Sequence, residues 1–309
     1  MAKLLVVGTV AFDAIETPFG KTDKILGGAA TYIALAAKNV AAVDAAIVSV
    51  VGEDFPEEYI QLFKERHVNL EGLEVVPGGK TFFWSGKYHN DLNMRDTLAT
   101  ELNVLADFEP KVPESYQDAD IVMLGNLHPG VQLSVIEQMT SPPKLIVLDT
   151  MNFWMDHTLD LLIEVIKKVD VITINDEEAR QLTGEYSLVK AAAKIHGMGP
   201  KYVVIKKGEH GALLFHNSHV FFAPALPLEE VFDPTGAGDS FAGGFVGYLA
   251  QSENISFENM KNAVIHGSNI ASFCVEKFGT ERLLSLKPEE ITNRLAEFTA
   301  LTQFDIDLV

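Results

Sequence analysis

The chain has 309 residues, with 43 acidic and 24 basic side chains and a formal net charge of −19. A surface this negative disfavours binding to nucleic acid or to an anionic membrane, although a local loop can still bind an anionic ligand. No apolar run approaches the ~18 residues of a membrane-spanning helix, and the N-terminal residues do not have the pattern of a signal peptide. The single cysteine, Cys274, excludes an intrachain disulfide. We therefore expect a cytoplasmic protein in which Cys274 is a buried, inert thiol.

Short apolar runs that end in glycine or polar residues alternate along the chain with amphipathic segments. Helical spacing predicts helices over 29–41 and 54–67, the second with Asp54 as its cap. Six apolar runs are predicted to be buried strands, namely 3–8, 45–52, 119–125, 144–149, 169–175 and 201–208. Such alternation predicts an α/β domain with a mostly parallel central sheet, flanked by helices on both faces. The functional loops should then lie at the carboxyl ends of the strands.

Residues 79–103 interrupt this alternation of strands and helices. They alternate in polarity and carry β-branched and aromatic side chains, which predicts a hairpin with its turn near 89–93. Residues 12–28 could add further short strands. Inserted strands beside an α/β core suggest a small β-sheet that covers a site as a lid. The alternatives are a surface ribbon or the edge of a homodimer, and a lid can also serve as a dimer edge.

The stretch "VFDPTGAGDSFAGGFVGYLA" (231–250) places a loop almost without side chains directly before a helical pattern. Free N–H groups and the positive end of the helix dipole attract anions there. The loop residues Gly236, Ala237 and Gly238 let a ligand approach the backbone closely. Asp239 could accept a proton from an attacking hydroxyl, or it could simply cap the helix beside a tight turn.

The longer string "DPTGAGDSFAGGF" (233–245) closely resembles the C-terminal signature of the ribokinase-like, or PfkB, carbohydrate kinases. Four other segments resemble motifs of that family in the same order along most of the chain. "VVGTVAFD" resembles its first strand with a sugar-contacting aspartate, here Asp13, and "LGGAATYIALAA" (26–37) resembles its early Gly-Gly motif. "INDEEARQLTG" resembles its N-x-x-E motif, and "IKKGEHGA" resembles the strand and turn that border the nucleotide.

The resemblance implies a single ribokinase-like α/β domain over 1–309, with a lid formed by about 12–28 and 79–103. It implies an ATP-dependent kinase that phosphorylates a primary hydroxyl of a sugar or nucleoside, with Mg²⁺ and possibly a monovalent cation such as K⁺. Asp239 would be the general base, and Gly236, Ala237 and Gly238 would form the anion hole. The implied substrate-binding residues are Asp13, Gly27, Gly28 and Tyr32.

The same resemblance assigns residues to the nucleotide and the metal. Asn175 and Glu178 would organise water around Mg²⁺, although Asn175 could also cap the following helix. Lys207, Gly208 and Gly211 would border the phosphates and ribose of ATP, or they could form an ordinary surface turn.

Two positions have alternative interpretations. Tyr32 stands where the family commonly has asparagine, and an aromatic ring there would suit a nucleoside by stacking. Asn269 would line the adenine pocket, unless it is an ordinary polar position on a helix. The alternatives to a sugar kinase are therefore a nucleoside kinase, or a sugar-binding regulatory relative without turnover. A homodimer through the lid is also compatible with the pattern.

Overall fold

The computed structural model describes residues 1–303, which form a nine-stranded sheet with helices on both faces and a separate five-stranded sheet. In chain order the strands are β1 (Lys3–Val7), β2 (Ala11–Thr17), β3 (Gly20–Lys21), β4 (Ile25–Gly27), β5 (Asp44–Gly52), β6 (Val68–Val76), β7 (Phe83–Tyr88), β8 (Arg95–Glu101), β9 (Ile121–Leu124), β10 (Leu145–Asp149), β11 (Val171–Asn175), β12 (Tyr202–Lys206), β13 (Ala212–His216) and β14 (His219–Ala223).

The α-helices of the same range are α1 (Ala29–Val40), α2 (Glu57–Glu65), α3 (Pro129–Glu137), α4 (Asn152–His157), α5 (Leu159–Ile166), α6 (Asp176–Thr183), α7 (Leu188–Met198), α8 (Ala237–Ser252), α9 (Phe257–Cys274), α10 (Glu281–Ser285) and α11 (Pro288–Thr302). None of them is both long and apolar enough to span a lipid bilayer.

The large sheet has the strand order β14-β13-β12-β11-β10-β9-β1-β5-β6. The seven strands that follow β13 in this order, from β12 through β1 to β6, are parallel to one another. At the opposite edge, β13 and β14 add an antiparallel hairpin. All six predicted strand segments contain a strand of this sheet, which confirms the expected architecture. The edge strand β6 was not predicted, because its polar and apolar residues do not form the continuous apolar run of a central strand.

Alternate side chains of each central strand enter two different cores. Leu4 and Val6 of β1 pack on the face covered by α1, α8 and α9. Leu5 and Val7 pack on the opposite face, with α3, α5 and α7. Burial on both faces explains why these strands are apolar throughout rather than alternating in polarity.

Helix α8 lies between α1 and α9 because glycines form part of its surface. A Cβ on Gly243 would come within 2.3 Å of the Ile33 carbonyl oxygen of α1, and one on Gly244 would come within 3.0 Å of the Gly267 Cα of α9. Larger residues would push these helices apart. The close packing fixes the start of α8 near the carboxyl ends of the central strands.

The small sheet consists of β2, β3, β4, β7 and β8, in the order β3-β2-β7-β8 with β4 on the other part of β2. It contains both predicted segments, and β7 and β8 form the predicted antiparallel hairpin. The pair β2–β7 is parallel, so the sheet is mixed. Because β2 begins only a few residues after β1 ends, the small sheet is anchored at the carboxyl end of the large one.

Two predictions about single residues have different outcomes. The Cys274 side chain is fully buried and burial raises the pKa of its thiol to about 12, so the expected inert thiol is confirmed. The predicted cap Asp54 is wrong, because Pro56 occupies the N-cap position of α2. The Asp54 carboxylate instead accepts hydrogen bonds from the N–H and Oγ1 of Thr81, both at 2.7 Å. It thereby joins the end of β5 to the base of the hairpin.

Candidate active site

The loop before α8 presents free backbone donors. Gly236 is the N-cap residue, with a φ of 74° in the left-handed region, and a Cβ there would come within 2.4 Å of the Tyr32 ring. The Ala237 N–H donates to a carbonyl of the preceding turn. Within residues 1–303, the N–H groups of Gly238 and Asp239 have no hydrogen-bond acceptor. The Gly236 N–H has no acceptor in the same range either, so three donors are free at the N-terminus of a 16-residue helix, which is a favourable arrangement for an anion.

Asp233 holds this loop in place. Its Oδ1 accepts a hydrogen bond from the Thr235 N–H at 2.8 Å, and its Oδ2 accepts one from the Gly279 N–H at 2.9 Å. The side chain is 1% exposed, so both bonds replace water lost on burial. The first aspartate of the signature is therefore structural, a role that the sequence interpretation did not assign.

The Asp239 carboxylate lies beside the free N–H groups and has no hydrogen-bond donor among the side chains and backbone of residues 1–303. Burial raises its pKa to about 7, and the nearby Asp149 carboxylate acts in the same direction. Lys206 and Arg95 oppose this shift. A carboxylate whose pKa lies near neutrality, without an existing partner, is suited to accept a proton from a hydroxyl.

A buried ion pair, not predicted from the sequence, lies next to Asp239. The Lys206 Nζ at the end of β12 is 3.1 and 3.2 Å from the two carboxylate oxygens of Asp149, at the end of β10. The same Nζ is 3.2 Å from the position that a Cβ on Gly238 would occupy. Burial acts to lower the pKa of Lys206, but Asp149, Glu178 and Asp239 outweigh it and raise the pKa. The ammonium group therefore stays charged among three carboxylates.

Strand periodicity was the signal that could have identified Lys206. Val204 packs in the core on the α8 side of the sheet, and Ile205 packs in the opposite core. The next residue, Lys206, must return to the α8 side. The neighbouring Lys207 was predicted instead, from the resemblance of 205–212 to the family's strand and turn.

Lys207, Gly208 and Gly211 form the turn between β12 and β13, directly after Lys206. The Lys207 N–H donates to the Gly211 carbonyl at 2.8 Å, and both glycines have positive φ, 53° and 80°. Asn93, at the tip of the β7–β8 hairpin, has its Oδ1 2.5 Å from the position of a Cβ on Gly208. The tip of the β7–β8 hairpin therefore lies against the turn that was predicted to border the nucleotide.

Asn175 and Glu178 form a capping box at the start of α6. The Glu178 N–H donates to the Asn175 Oδ1 at 2.8 Å, and the Asn175 N–H donates to the Glu178 Oε2 at 3.0 Å. The capping alternative is therefore present in the structure. Asn175 is also paired with Lys206 in the large sheet. Burial raises the pKa of Glu178 to about 7, although Lys206 opposes the shift.

Three of the four predicted substrate-binding residues come together. A Cβ on Gly27 would overlap the Asp13 carboxylate at 2.0 Å, so this contact requires glycine. Gly28 has a φ of 93° and begins α1. Burial raises the pKa of Asp13 to about 7, with contributions from the Asp233 and Asp239 charges. Asp13 and Asp239 therefore lie within electrostatic reach of each other, and the region between them and the small sheet is here called the cleft.

The structure corrects the interpretations of two residues. Tyr32 is 1% exposed and its ring supports Gly236 from beneath, so it has no free face on which a ligand could stack. Asn269 is fully buried, and its amide donates to the Ile291 carbonyl at 3.0 Å. It therefore joins α9 to α11 instead of lining a pocket for adenine. In both cases burial inside helix packing, which the local pattern does not reveal, decided the role.

No group of three or more histidine, cysteine or acidic side chains is arranged as a metal site within residues 1–303. A divalent cation here would therefore need ligands from phosphate and water besides a carboxylate, as is common for Mg²⁺.

Comparisons with known proteins agree with this architecture. Residues 1–286 match the family described as pfkB family carbohydrate kinase. A cytidine kinase from Thermococcus kodakarensis is 34% identical over 252 residues, which cover 80% of this chain and 88% of the relative. A ribokinase from Lactococcus lactis is 25% identical over 293 residues, which cover 91% and 93% of the two chains.

An Escherichia coli protein described as ribokinase II, solved in complex with ATP and Mg²⁺, superposes with a TM-score of 0.79 at 18% identity. The match covers 96% of this chain and 100% of that one, and it shows the ribokinase-like fold. The extent of the family match decides the classification, because it includes every motif discussed above. The chain belongs to the pfkB family of carbohydrate kinases, and it is a phosphotransferase that acts on an alcohol group.

Proposed function

We propose that this protein transfers the γ-phosphoryl group of ATP to the primary hydroxyl of a nucleoside, with Asp239 as general base. One observation carries the proposal: a carboxylate with a pKa of about 7 and no partner follows directly after free N–H groups at a helix N-terminus. Phosphoryl transfer requires a positioned acceptor and compensation of negative charge more than it requires covalent catalysis. This arrangement offers both.

Each residue of the cleft has its own role in this reaction. Asp13 holds hydroxyls of the sugar ring, against the space left by Gly27 and Gly28. The acceptor hydroxyl donates its proton to the Asp239 carboxylate. The loop of Gly236, Ala237 and Gly238, here called the anion loop, offers the N–H groups of its two glycines to the oxygens of the transferred phosphoryl group, where they stabilise developing charge. The Ala237 N–H is already bonded within the turn.

The groups around Lys206 suit a nucleotide with its bound metal ion. Bound ATP would supply the phosphoryl group, and Mg²⁺ would compensate the charge of the phosphates. Glu178 would hold Mg²⁺ through water, because carboxylate oxygen is a preferred ligand and Mg²⁺ keeps several waters. Asn175 keeps Glu178 in place through the capping box. Lys207, Gly208 and Gly211 would border the nucleotide. A monovalent-cation requirement and dimerisation through the small sheet stay predictions.

The nucleoside is favoured over a free sugar by the relatives. The relative with 34% identity is named a cytidine kinase, whereas the named ribokinase has 25% identity. A free pentose is the second candidate, supported by that ribokinase. Both acceptors present a ribose ring with a primary hydroxyl, so the same base and anion loop serve either one.

A substrate panel tests the proposal directly. The full chain is incubated with ATP, Mg²⁺ and either cytidine, inosine or ribose, while ADP release is followed in a coupled assay. We expect ADP release that depends on a nucleoside, and a phosphate monoester on its primary hydroxyl by NMR. EDTA should abolish turnover and excess Mg²⁺ should restore it.

Each possible failure has its own meaning. Full turnover in EDTA would contradict the metal assignment, and phosphate on a secondary hydroxyl would contradict the placement of the acceptor. No turnover with any nucleoside would refute the nucleoside proposal, and turnover of ribose alone would favour the second candidate.

A further inference from the structure

The small sheet carries an aromatic side chain next to the predicted sugar-binding carboxylate. Trp84 of β7 is paired in register with Asp13 of β2 in the parallel part of this sheet. Directly paired residues of neighbouring strands project from the same face. Because the Asp13 carboxylate is within electrostatic reach of Asp239, the Trp84 side chain belongs to the face of the small sheet that bears this carboxylate.

A second contact fixes the orientation of this face. Tyr88 follows Trp84 by four residues on the same strand, so both side chains share one face. The Thr235 hydroxyl donates to the Tyr88 hydroxyl at 3.2 Å. Thr235 immediately precedes Gly236, the first residue of the anion loop. The strand β7 therefore crosses the cleft, with Trp84 near Asp13 and Tyr88 at the loop.

The indole ring of Trp84 lies along the strand, in the space left by the missing side chain of Gly86. A Cβ on Gly86 would come within 2.2 Å of the Trp84 Cη2, so the six-membered ring covers the space where a side chain would stand. The Arg95 guanidinium lies 5.8 Å from the ring centroid, and Thr97 Oγ1 lies 3.4 Å from the indole nitrogen. Trp84 remains only half-buried. The backbone and β8 thus support the ring, and part of its surface stays available.

Tyr32 cannot supply such a surface, because its ring is 1% exposed beneath Gly236. Trp84 has the aromatic ring that was expected of Tyr32, and it is partly exposed and paired with the predicted sugar-binding residue Asp13. Aromatic side chains bind nucleobases by stacking, and the interaction tolerates every base because each has a π-face.

We propose that Trp84 is the stacking platform for the nucleobase, and that it makes the enzyme prefer nucleosides over free pentoses. The inference rests on the proposed function. With the ribose hydroxyls on Asp13 and the primary hydroxyl at Asp239, the base extends from the ribose along the cleft face of the small sheet. Stacking binds the base in the ground state and in the transition state alike, so its loss raises KM more than it lowers kcat.

The test is a set of substitutions at Trp84, assayed with cytidine, inosine and ATP. We expect Trp84→Leu to raise KM for each nucleoside by about 5- to 150-fold, the range that follows from loss of one stacked base. KM for ATP and the melting temperature should change little, and Trp84→Phe should keep most of the affinity. Phe222→Leu, at a 54% exposed aromatic residue of β14, is the matched control and should leave every parameter unchanged.

A fluorescence titration provides a readout that does not depend on turnover. The chain has two tryptophans, Trp84 and Trp154, so Trp154→Phe leaves Trp84 as the only tryptophan. Cytidine should quench its emission in a saturable manner.

The outcomes separate the two proposals. If the wild-type chain phosphorylates nucleosides but Trp84→Leu leaves their KM within twofold, the platform is refuted and the proposed function stands. Equal increases in KM for nucleosides and for ATP would also refute the platform, since they indicate general damage to the cleft. Failure of the wild-type chain to phosphorylate any nucleoside would overturn both.

Discussion

The two sides of the cleft are built differently. One side, here called the floor, consists of Asp149, Glu178, Lys206 and Asp239 at the ends of central strands and the starts of α6 and α8. The other side is the small sheet, where six of the seven residues of β8 are exposed. The floor places charges where packing excludes water, whereas the small sheet presents a surface that solvent still reaches. Phosphoryl transfer needs the first property, and admission of substrate needs the second.

The charge arrangement of the floor depends on neighbouring elements that are distant in sequence. The Asp149–Lys206 pair joins residues 57 positions apart, and Lys206 in turn acts on Glu178 and Asp239. A charged group in such a place keeps its ionisation only while its partners remain. Removal of a single member should therefore affect both the stability of the fold and the properties of the others.

The small sheet contacts residues around the floor at several places. The Tyr88–Thr235 hydrogen bond and the approach of Asn93 to Gly208 are two of them. Elements with many exposed backbone groups and few buried side chains are expected to open most easily. The outer strand β8, with six of its seven residues exposed, should therefore move relative to a floor that stays fixed.

The largest expected effect is on turnover, from Asp239→Asn. Asparagine keeps the size of the side chain but cannot accept the proton, so kcat should fall by about 10²–10⁴-fold, the usual share of general-base catalysis. KM for ATP should change much less, because the loop N–H groups remain. Steady-state kinetics with the best acceptor of the panel measures both parameters.

Asp118→Asn, at a surface carboxylate paired with Lys3, is the matched control and should leave kcat unchanged. A near-normal kcat in folded Asp239→Asn would contradict the base assignment, because asparagine caps a helix as well as aspartate does.

The pH dependence of kcat/KM tests the same Asp239 carboxylate. Since its pKa is about 7 and the ionised form is the base, log kcat/KM should rise with pH below pH 7 and level off above it. The slope should be one or steeper, because Asp13 and Glu178 have the same pKa of about 7.

The next largest effect concerns the stability of the floor. Lys206→Met leaves Asp149 buried without its cation, so the free energy of unfolding should fall by about 3–5 kcal/mol. The double variant Lys206→Met, Asp149→Leu removes both charges and should recover most of that loss. Denaturant unfolding of the wild type and the three variants, including Asp149→Leu alone, measures the coupling. If Lys206→Met lowers the free energy of unfolding by less than about 1 kcal/mol, the Asp149–Lys206 pair is hydrated and does not make the floor rigid.

The smallest effect is expected in the small sheet. Binding of nucleoside together with a non-hydrolysable ATP analogue should slow amide hydrogen exchange within 83–101, because closure orders the hairpin over the ligands. Exchange in β9 and β10 should already be slow and should not change. Unaltered exchange in the hairpin, with binding shown independently by calorimetry, would contradict a mobile cover and would make the two sides of the cleft equally rigid.

Much of this organisation was predictable from local patterns. Apolar runs ending in glycine indicated the central strands, and the alternating segment 79–103 indicated the hairpin. The bare loop before an apolar helix indicated the site around Asp239. These features were accessible because each arises from residues close together in the chain, through strand periodicity, turn chemistry or helix capping. The family signature then added the implied activity.

Long-range packing decided the rest. Tyr32 and Asn269 have the side chains expected of ligand contacts, yet both are buried between helices. Asp54 was predicted as a cap and instead holds the base of the hairpin. Trp84 acquired its position beside Asp13 from the pairing of β2 with β7, which join residues about seventy positions apart. No local pattern records such a pairing.

The sequence by itself determined the fold class, the strands of the central sheet and the identity of the loop that begins α8, because these depend on periodicity and on residues within one turn of each other. Only the tertiary structure decided which side chains face the cleft and which charges act on one another. Lys206 illustrates the physical reason: its ionisation and its position next to Gly238 are set by Asp149, Glu178 and Asp239, which two crossovers and the β13–β14 hairpin bring together.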